Sequence, residues 1–106
     1  MNIVFEYLYR DGANYKNWGQ VIVAGSPEQT IDELEQRIRQ NLIDGEFFVA
    51  EDIPLPTLYF SSGDVDLDHG WHEYSSLAST ECSPTTSVSI EEIITRLAHS
   101  LCKIAI

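Results

Sequence analysis

This sequence has few basic residues, and that shortage limits what the chain can bind. Only 6 of its 106 residues are Lys or Arg, against 17 Asp or Glu, which gives a formal net charge of −11. A field of that sign repels nucleic-acid backbones and anionic membrane surfaces, and it attracts basic proteins. We therefore expect no direct nucleic-acid binding and no membrane binding.

Cysteines and long apolar runs are also scarce. Cys82 and Cys102 form no C-x-x-C pair. No apolar run approaches the roughly 20 residues that a membrane-spanning helix needs, and the first residues are not patterned as a secretory signal segment. A cytoplasmic location with reduced thiols is the default expectation for such a chain.

Motifs that mark common catalytic sites are missing as well. No serine lies in a G-x-S-x-G elbow, no Gly-rich phosphate loop occurs, and the order H-E-x-x-H is absent. We therefore expect no cofactor and favour a function other than catalysis. A general acid–base pair of His72 and Glu73 is an alternative that the sequence leaves open.

Hydrophobic alternation predicts several strands. Residues 2–9 and 18–24 are rich in β-branched and aromatic residues with a period of two, and the polar loop 10–17 between them predicts an antiparallel hairpin. Shorter apolar segments predict further strands at 58–60 and 71–77. Residues 47–49 are apolar enough for a short strand, but Pro54 and Pro56 prevent regular structure just after them.

Two capping boxes mark the starts of two amphipathic helices. Thr30 with Glu33 precedes a helical apolar stripe over residues 31–42, and Ser89 with Glu92 precedes a second stripe over residues 90–104. The order strand–strand–helix–strand–strand–helix predicts one α+β domain over residues 1–106. We expect a mostly antiparallel sheet of about four strands with both helices on one face. The apolar residues 104–106 indicate either burial or a homodimer through the C-terminal helix.

Residues 64–73 hold six potential metal ligands. They are Asp64, Asp66, Asp68, His69, His72 and Glu73. A calcium loop is excluded because the required Gly and bidentate acid are missing from their positions. A zinc, manganese or iron site formed by His69, His72, Glu73 and an aspartate is one interpretation. The other is an acidic surface turn that leads into a strand, with Trp71 in the core.

The predicted hairpin loop gathers basic, amide and aromatic groups. Arg10, Asn14 and Lys16 could seat a small anion beside aromatic rings. In the alternative interpretation, Arg10 and Lys16 pair with nearby acids, while Tyr15 and Trp18 cover the edge of the sheet.

The charge and the small size favour a binding or inhibitory protein of the immunity or antitoxin type, acting on a basic partner. The expected docking residues are Glu35 on the first helix and Asp64, Asp66 and Asp68 in the acidic turn. The alternative is a small metal-binding protein or metal-dependent enzyme that uses residues 64–73.

Three segments resemble a set of small uncharacterised bacterial proteins of about this length. The segments are Phe5-x-Tyr7-x-Tyr9-Arg10-Asp11-x-x-Asn14-Tyr15-Lys16-x-x-Gly19, Leu42-Ile43-Asp44-Gly45-Glu46-Phe47-Phe48, and Asp68-His69-x-Trp71-His72-Glu73. The resemblance spans residues 3 to 74 and omits the last helix. It implies a free-standing bacterial cytoplasmic protein, and it transfers no functional residue.

Overall fold

Four antiparallel strands form one sheet, and two helices cover one of its faces in the computed structural model. The structure describes residues 2–10, 14–25, 28–53, 55–58 and 71–104, with side chains to residue 102. In chain order the elements are β1 (Asn2–Arg10), β2 (Lys16–Ala24), α1 (Ile31–Gln40), β3 (Phe47–Phe48), a 3-10 turn (Ala50–Asp52), β4 (His72–Thr80) and α2 (Ile90–Ile104). The predicted α+β class, antiparallel sheet and ββαββα order are confirmed.

The strand order is β2-β1-β4-β3, so β1 lies inside the sheet and pairs with β2 and β4. Successive side chains of a strand point to opposite faces. Ile3, Phe5, Tyr7 and Tyr9 of β1 therefore share the inner face, where all four are buried. On the outer face of β1, Leu8 is buried and Val4 is half-buried. Both faces of β1 are thus covered to different extents.

The hydrophobic core lies between the inner face of the sheet and the apolar stripes of the helices. From α1 it takes Leu34 and Ile38, and from α2 it takes Ile90, Ile93, Ile94 and Leu97. Burying a side chain of this kind stabilises a fold by about 1.5–3 kcal/mol, so these stripes hold both helices against the sheet.

Both predicted helix starts are capped by their hydroxyl residues. The Glu33 amide donates to Thr30 Oγ1 at 3.1 Å, and the Glu92 amide donates to Ser89 Oγ at 3.1 Å. The Glu33 carboxylate accepts from the Thr30 hydroxyl at 3.2 Å. Each cap satisfies an amide that the helix itself leaves without a partner.

Some element boundaries differ from the sequence prediction. β2 begins at Lys16 and not at residue 18, and β4 runs on to Thr80. α1 ends at Gln40, because the chain turns at Asp44 and Gly45, whose φ angles are +53° and +72°. Of the strand predicted at 58–60, Leu58 is irregular and the other two residues lie outside the described residues.

Trp71 does not lie in the core. Its side chain is 38% exposed, and its ring packs on that of Phe47 with 5.7 Å between centroids. Trp71 directly precedes β4, and it lies at the rim of the sheet.

Neither α1 nor α2 has the length and hydrophobicity that a bilayer-crossing helix requires, and the same holds throughout the described residues.

Two buried tyrosines predict a loss of stability in alkali. Burial raises the pKa of Tyr7 from 10.0 to about 12, and burial also raises the pKa of Tyr74. An unfolded chain loses these phenol protons first, so ionisation favours unfolding. The contribution is complete below pH 10 and is lost as the pH rises towards 12. With about 1.4 kcal/mol per pKa unit, Tyr7 alone accounts for roughly 2–3 kcal/mol.

Urea denaturation between pH about 9 and about 11.5 measures this loss. We expect Tyr7→Phe to make the decline in unfolding free energy shallower, and exposed Tyr15→Phe serves as the control for removing a phenol. A wild-type stability that stays constant across this range would contradict the prediction.

Candidate functional site

Among the residues that the structure describes, three basic side chains form ion pairs within the chain. Arg10 pairs with Glu73 at 3.2 Å, Arg37 with Glu91 at 2.7 Å, and Arg39 with Glu35 at 3.3 Å. The sequence holds only six basic residues. These pairs use three of the six basic residues internally, while most of the described acids lie exposed.

Arg37 joins the two helices. Its guanidinium donates to both carboxylate oxygens of Glu91, at 2.7 and 2.9 Å, and to the side-chain oxygen of Gln29 at 2.7 Å. The hydrogen bonds from Arg37 lower the pKa of the Glu91 carboxyl. Planar, bidentate pairing of this kind fixes geometry as well as charge, so Arg37 orients α1 relative to α2.

Arg39 is held by three contacts around the end of α1. It donates to Glu35 Oε1 at 3.3 Å and to the Gly45 carbonyl at 2.9 Å. Its guanidinium carbon lies 4.9 Å from the centre of the Tyr74 ring, which is a cation–π contact. The guanidinium therefore covers the core at this point and also brings Glu35 close to the turn that follows α1.

An acidic surface results from this arrangement, and we call it the α1 acidic surface. It consists of Asp32, Glu33 and Glu35 of α1 together with Asp44 and Glu46 of the turn. All of these side chains are exposed except that of Glu35, which is half-buried. An open groove of about 320 Å³ crosses it, lined by Asp32, Glu35, Gln36 and Arg39.

Of the four predicted docking residues, the structure describes only one. Glu35 lies on the groove of the α1 acidic surface, where its pairing with Arg39 holds it in place. Asp64, Asp66 and Asp68 lie outside the described residues, and their contribution remains a prediction.

The predicted anion-binding residues are only partly brought together. Asn14 Oδ1 accepts a hydrogen bond from Arg10 Nη1 at 2.6 Å, and Arg10 also donates to Glu73 through Nε and Nη2. Lys16 is paired with Arg10 in the β-ladder and is exposed. Because Arg10 already binds a carboxylate, the pairing alternative describes its role, and the cluster does not offer a free guanidinium to an anion.

The two predicted metal ligands that the structure describes, His72 and Glu73, do not lie together. His72 is fully buried, and its Nε2 accepts the Leu58 amide proton at 2.9 Å. Glu73 follows it on β4 and leaves the sheet on the opposite face, towards Arg10. His69 lies outside the described residues, among which no cluster of three or more metal-binding side chains occurs.

His72 is instead a structural residue of the core. Its ring lies between aromatic rings, with centroid distances of 6.0 Å to Tyr7, 5.2 Å to Tyr9 and 6.1 Å to Phe48. Its hydrogen bond with Leu58 ties the irregular residues 55–58 to β4. Tyr7 adds a second tie, because its hydroxyl donates to the Pro56 carbonyl.

The structure also contains a polar cleft that the sequence did not indicate. The cleft measures about 380 Å³ and is lined by Asp52, Glu92, Thr95, Arg96, His99 and Ser100. Ser100 donates its hydroxyl proton to Asp52 Oδ2 at 2.7 Å. Because that proton is directed at a carboxylate and not at His99, the group is not arranged as a Ser-His-Asp triad.

Helical spacing could have found part of this cleft. Glu92, Arg96 and His99 follow one another at intervals of four and three residues on α2, which places them on one face. Asp52 belongs to the 3-10 turn and is 48 residues from Ser100. No sequence pattern connects these two.

No protein-family model matches this chain, and no match to a curated protein or to a solved structure was found.

Proposed function

We propose that this chain is a protein-binding module that docks on a basic partner through the α1 acidic surface. Inhibitory proteins of the immunity or antitoxin type act in this way. The observation that supports the proposal most is the internal use of Arg10, Arg37 and Arg39 in ion pairs. With these three guanidinium groups paired, exposed acids far outnumber the other exposed bases, Lys16 and Arg96, among the described residues.

The geometry of α1 suits a docking surface. The helix is fixed on its inner side by Leu34 and Ile38 and at its end by the contacts of Arg39. A surface on a rigid element loses little conformational entropy on binding. Its carboxylates are therefore preorganised for Lys and Arg side chains of a partner.

The electrostatics determine what kind of association is expected. A net charge of −11 accelerates the encounter with a basic protein, and dissolved salt screens this attraction. Binding should consequently be strongest at low ionic strength and should weaken steeply as salt is added.

A charge substitution on the groove tests the proposal. Gln36→Lys adds one positive charge to the groove that Asp32 and Glu35 also line, without removing an ion pair. Thr95→Lys adds the same charge on the exposed face of α2 and is the matched control. We expect Gln36→Lys to weaken binding of a basic partner about tenfold, because like charges at a close interface cost on the order of 1 kcal/mol or more.

The measurement starts with capture from native lysate at low salt, followed by titration of the retained protein against the three forms. The expected result is one basic protein, released by rising salt, that prefers the wild type and Thr95→Lys over Gln36→Lys. Retention of no basic protein, or equal affinity for all three forms, would contradict the proposal.

A further inference from the structure

One edge of the sheet is the outer side of β2, and the described residues cover only half of it. The Ile22 amide donates to Thr85 Oγ1 at 2.9 Å, and the Thr85 amide donates to the Ile22 carbonyl at 2.8 Å. A parallel bridge joins Ala24 to Ser89. Residues 16–20 of β2, which we call the β2 edge, receive no such cover from the described residues.

The direction of the backbone groups on the β2 edge follows from Ile22. In an antiparallel sheet, the amide and the carbonyl of one residue point to the same neighbouring strand, and those of the next residue point to the opposite side. Ile22 turns them away from β1, and the pairing of β1 with β2 is regular. The amides and carbonyls of Lys16, Trp18 and Gln20 therefore also point outward, which gives three donors and three acceptors in one row.

Aromatic side chains accompany this row. Trp18 is 54% exposed on the outer face of the sheet beside Leu8, and Tyr15 just before the strand is 69% exposed. Exposed strand edges of this kind recruit a further strand. Tryptophan and tyrosine are enriched at the centres of protein interfaces.

The charge distribution indicates which molecule pairs with the β2 edge. Residues 1–25 contain two acids and two bases, whereas residues 26–106 contain 15 acids and 4 bases, which accounts for the whole net charge of −11. Two copies of the chain repel each other through most of their surface. β2 itself contains a single charged side chain, that of Lys16, so a second copy can approach the β2 edge at a low electrostatic cost.

We propose that the β2 edge pairs antiparallel with the same edge of a second copy, so that two four-stranded sheets become one continuous sheet. A two-fold axis beside Trp18 places Lys16 of each copy opposite Gln20 of the other, and no two like charges are opposed. The three residue pairs form about six hydrogen bonds. Such an isologous contact closes on itself, so the β2 edge of neither copy remains available to a third.

This dimer is independent of the proposed docking function. It differs from the homodimer predicted through the apolar residues 104–106 at the end of α2, whose side chains lie outside the described part of the chain. The axis is perpendicular to the sheet, so both helix layers lie on the same side and both α1 acidic surfaces stay accessible.

The substitution Gln20→Pro tests the pairing of the two β2 edges. Gln20→Pro removes an amide that points away from β1, so the hairpin itself keeps its ladder. Gln20→Thr keeps the amide and the strand preference and is the matched control. Sedimentation at high salt, where repulsion is screened, should give a wild-type mass of twice 12.0 kDa at high protein concentration. We expect the dissociation constant to rise at least tenfold for Gln20→Pro and to stay unchanged for Gln20→Thr.

A second variant keeps the test decisive if Gln20→Pro does not fold. Trp18→Glu places two carboxylates opposite each other at the axis, so its dimer should be weakened at low salt and partly restored at high salt. Circular dichroism confirms that each variant is folded. A wild-type protein that stays monomeric at every concentration and salt level overturns the proposal, as does a dimer that neither Gln20→Pro nor Trp18→Glu weakens.

Discussion

Replacing His72 with alanine is expected to lower the free energy of unfolding by about 2–4 kcal/mol. The imidazole is fully buried and packs against the rings of Tyr7, Tyr9 and Phe48, so its loss leaves a cavity. The Leu58 amide also loses the Nε2 atom that accepts its proton. Urea denaturation of the wild type and the variant measures the difference.

Two further variants separate the causes of this loss. His72→Phe fills the space without an acceptor, so we expect it to recover the packing contribution only. His99→Ala on the exposed side of α2 should change stability by less than about 0.5 kcal/mol. A loss below about 1 kcal/mol for His72→Ala would contradict the structural role.

The same variants address the metal-binding alternative. In that hypothesis, zinc or manganese raises the melting temperature of the wild type, and His72→Ala abolishes the increase. With Nε2 engaged by Leu58 and Glu73 on the opposite face, we expect neither metal to change the melting temperature. A metal-dependent increase that requires His72 would favour the alternative over the core role.

Replacing Phe5 with alanine is expected to cost about 3–5 kcal/mol, the usual range for a buried phenylalanine. Phe5 has no exposed surface, and its ring lies 5.8 Å from Tyr7, 6.1 Å from Phe48 and 5.5 Å from Tyr74. It therefore connects three strands of the sheet within one aromatic cluster. Chemical denaturation again provides the measurement.

Trp18→Ala is the matched control for this substitution. It also removes an aromatic side chain from the hairpin, but Trp18 is 54% exposed on the outer face. We expect a loss of about 1–2 kcal/mol in dilute protein, where the chain is monomeric, because about half of this side chain stays in contact with water. Equal losses for the two variants would mean that the outer face of the sheet contributes as much to stability as the core.

The strands and helices could be predicted because their causes are local. The alternation in β1 and the capping residues Thr30 and Ser89 act within a few positions of the chain. Boundaries were less accurate where packing extends an element. β2 starts at Lys16 because the register with β1 continues to Arg10, and only the partner strand determines that.

The metal hypothesis illustrates how two local patterns can disagree. Residues 64–73 have the composition of a ligand cluster, whereas a strand over residues 71–77 puts His72 and Glu73 on opposite faces. In the structure they belong to β4 and do separate. The two-residue period of a strand is a stronger constraint than the proximity of ligands in sequence.

By itself, the sequence determined the fold class, the positions of both helices and the acidic character of the protein, because periodicity, capping and charge are properties of short segments. Only the tertiary structure decided which basic residue meets which acid. The partners in the ion pairs Arg10–Glu73 and Arg37–Glu91 are 63 and 54 residues apart, and the Asp52–Ser100 contact spans 48. Such distant contacts depend on how the sheet and helices pack, and that packing leaves the α1 acidic surface and the β2 edge exposed.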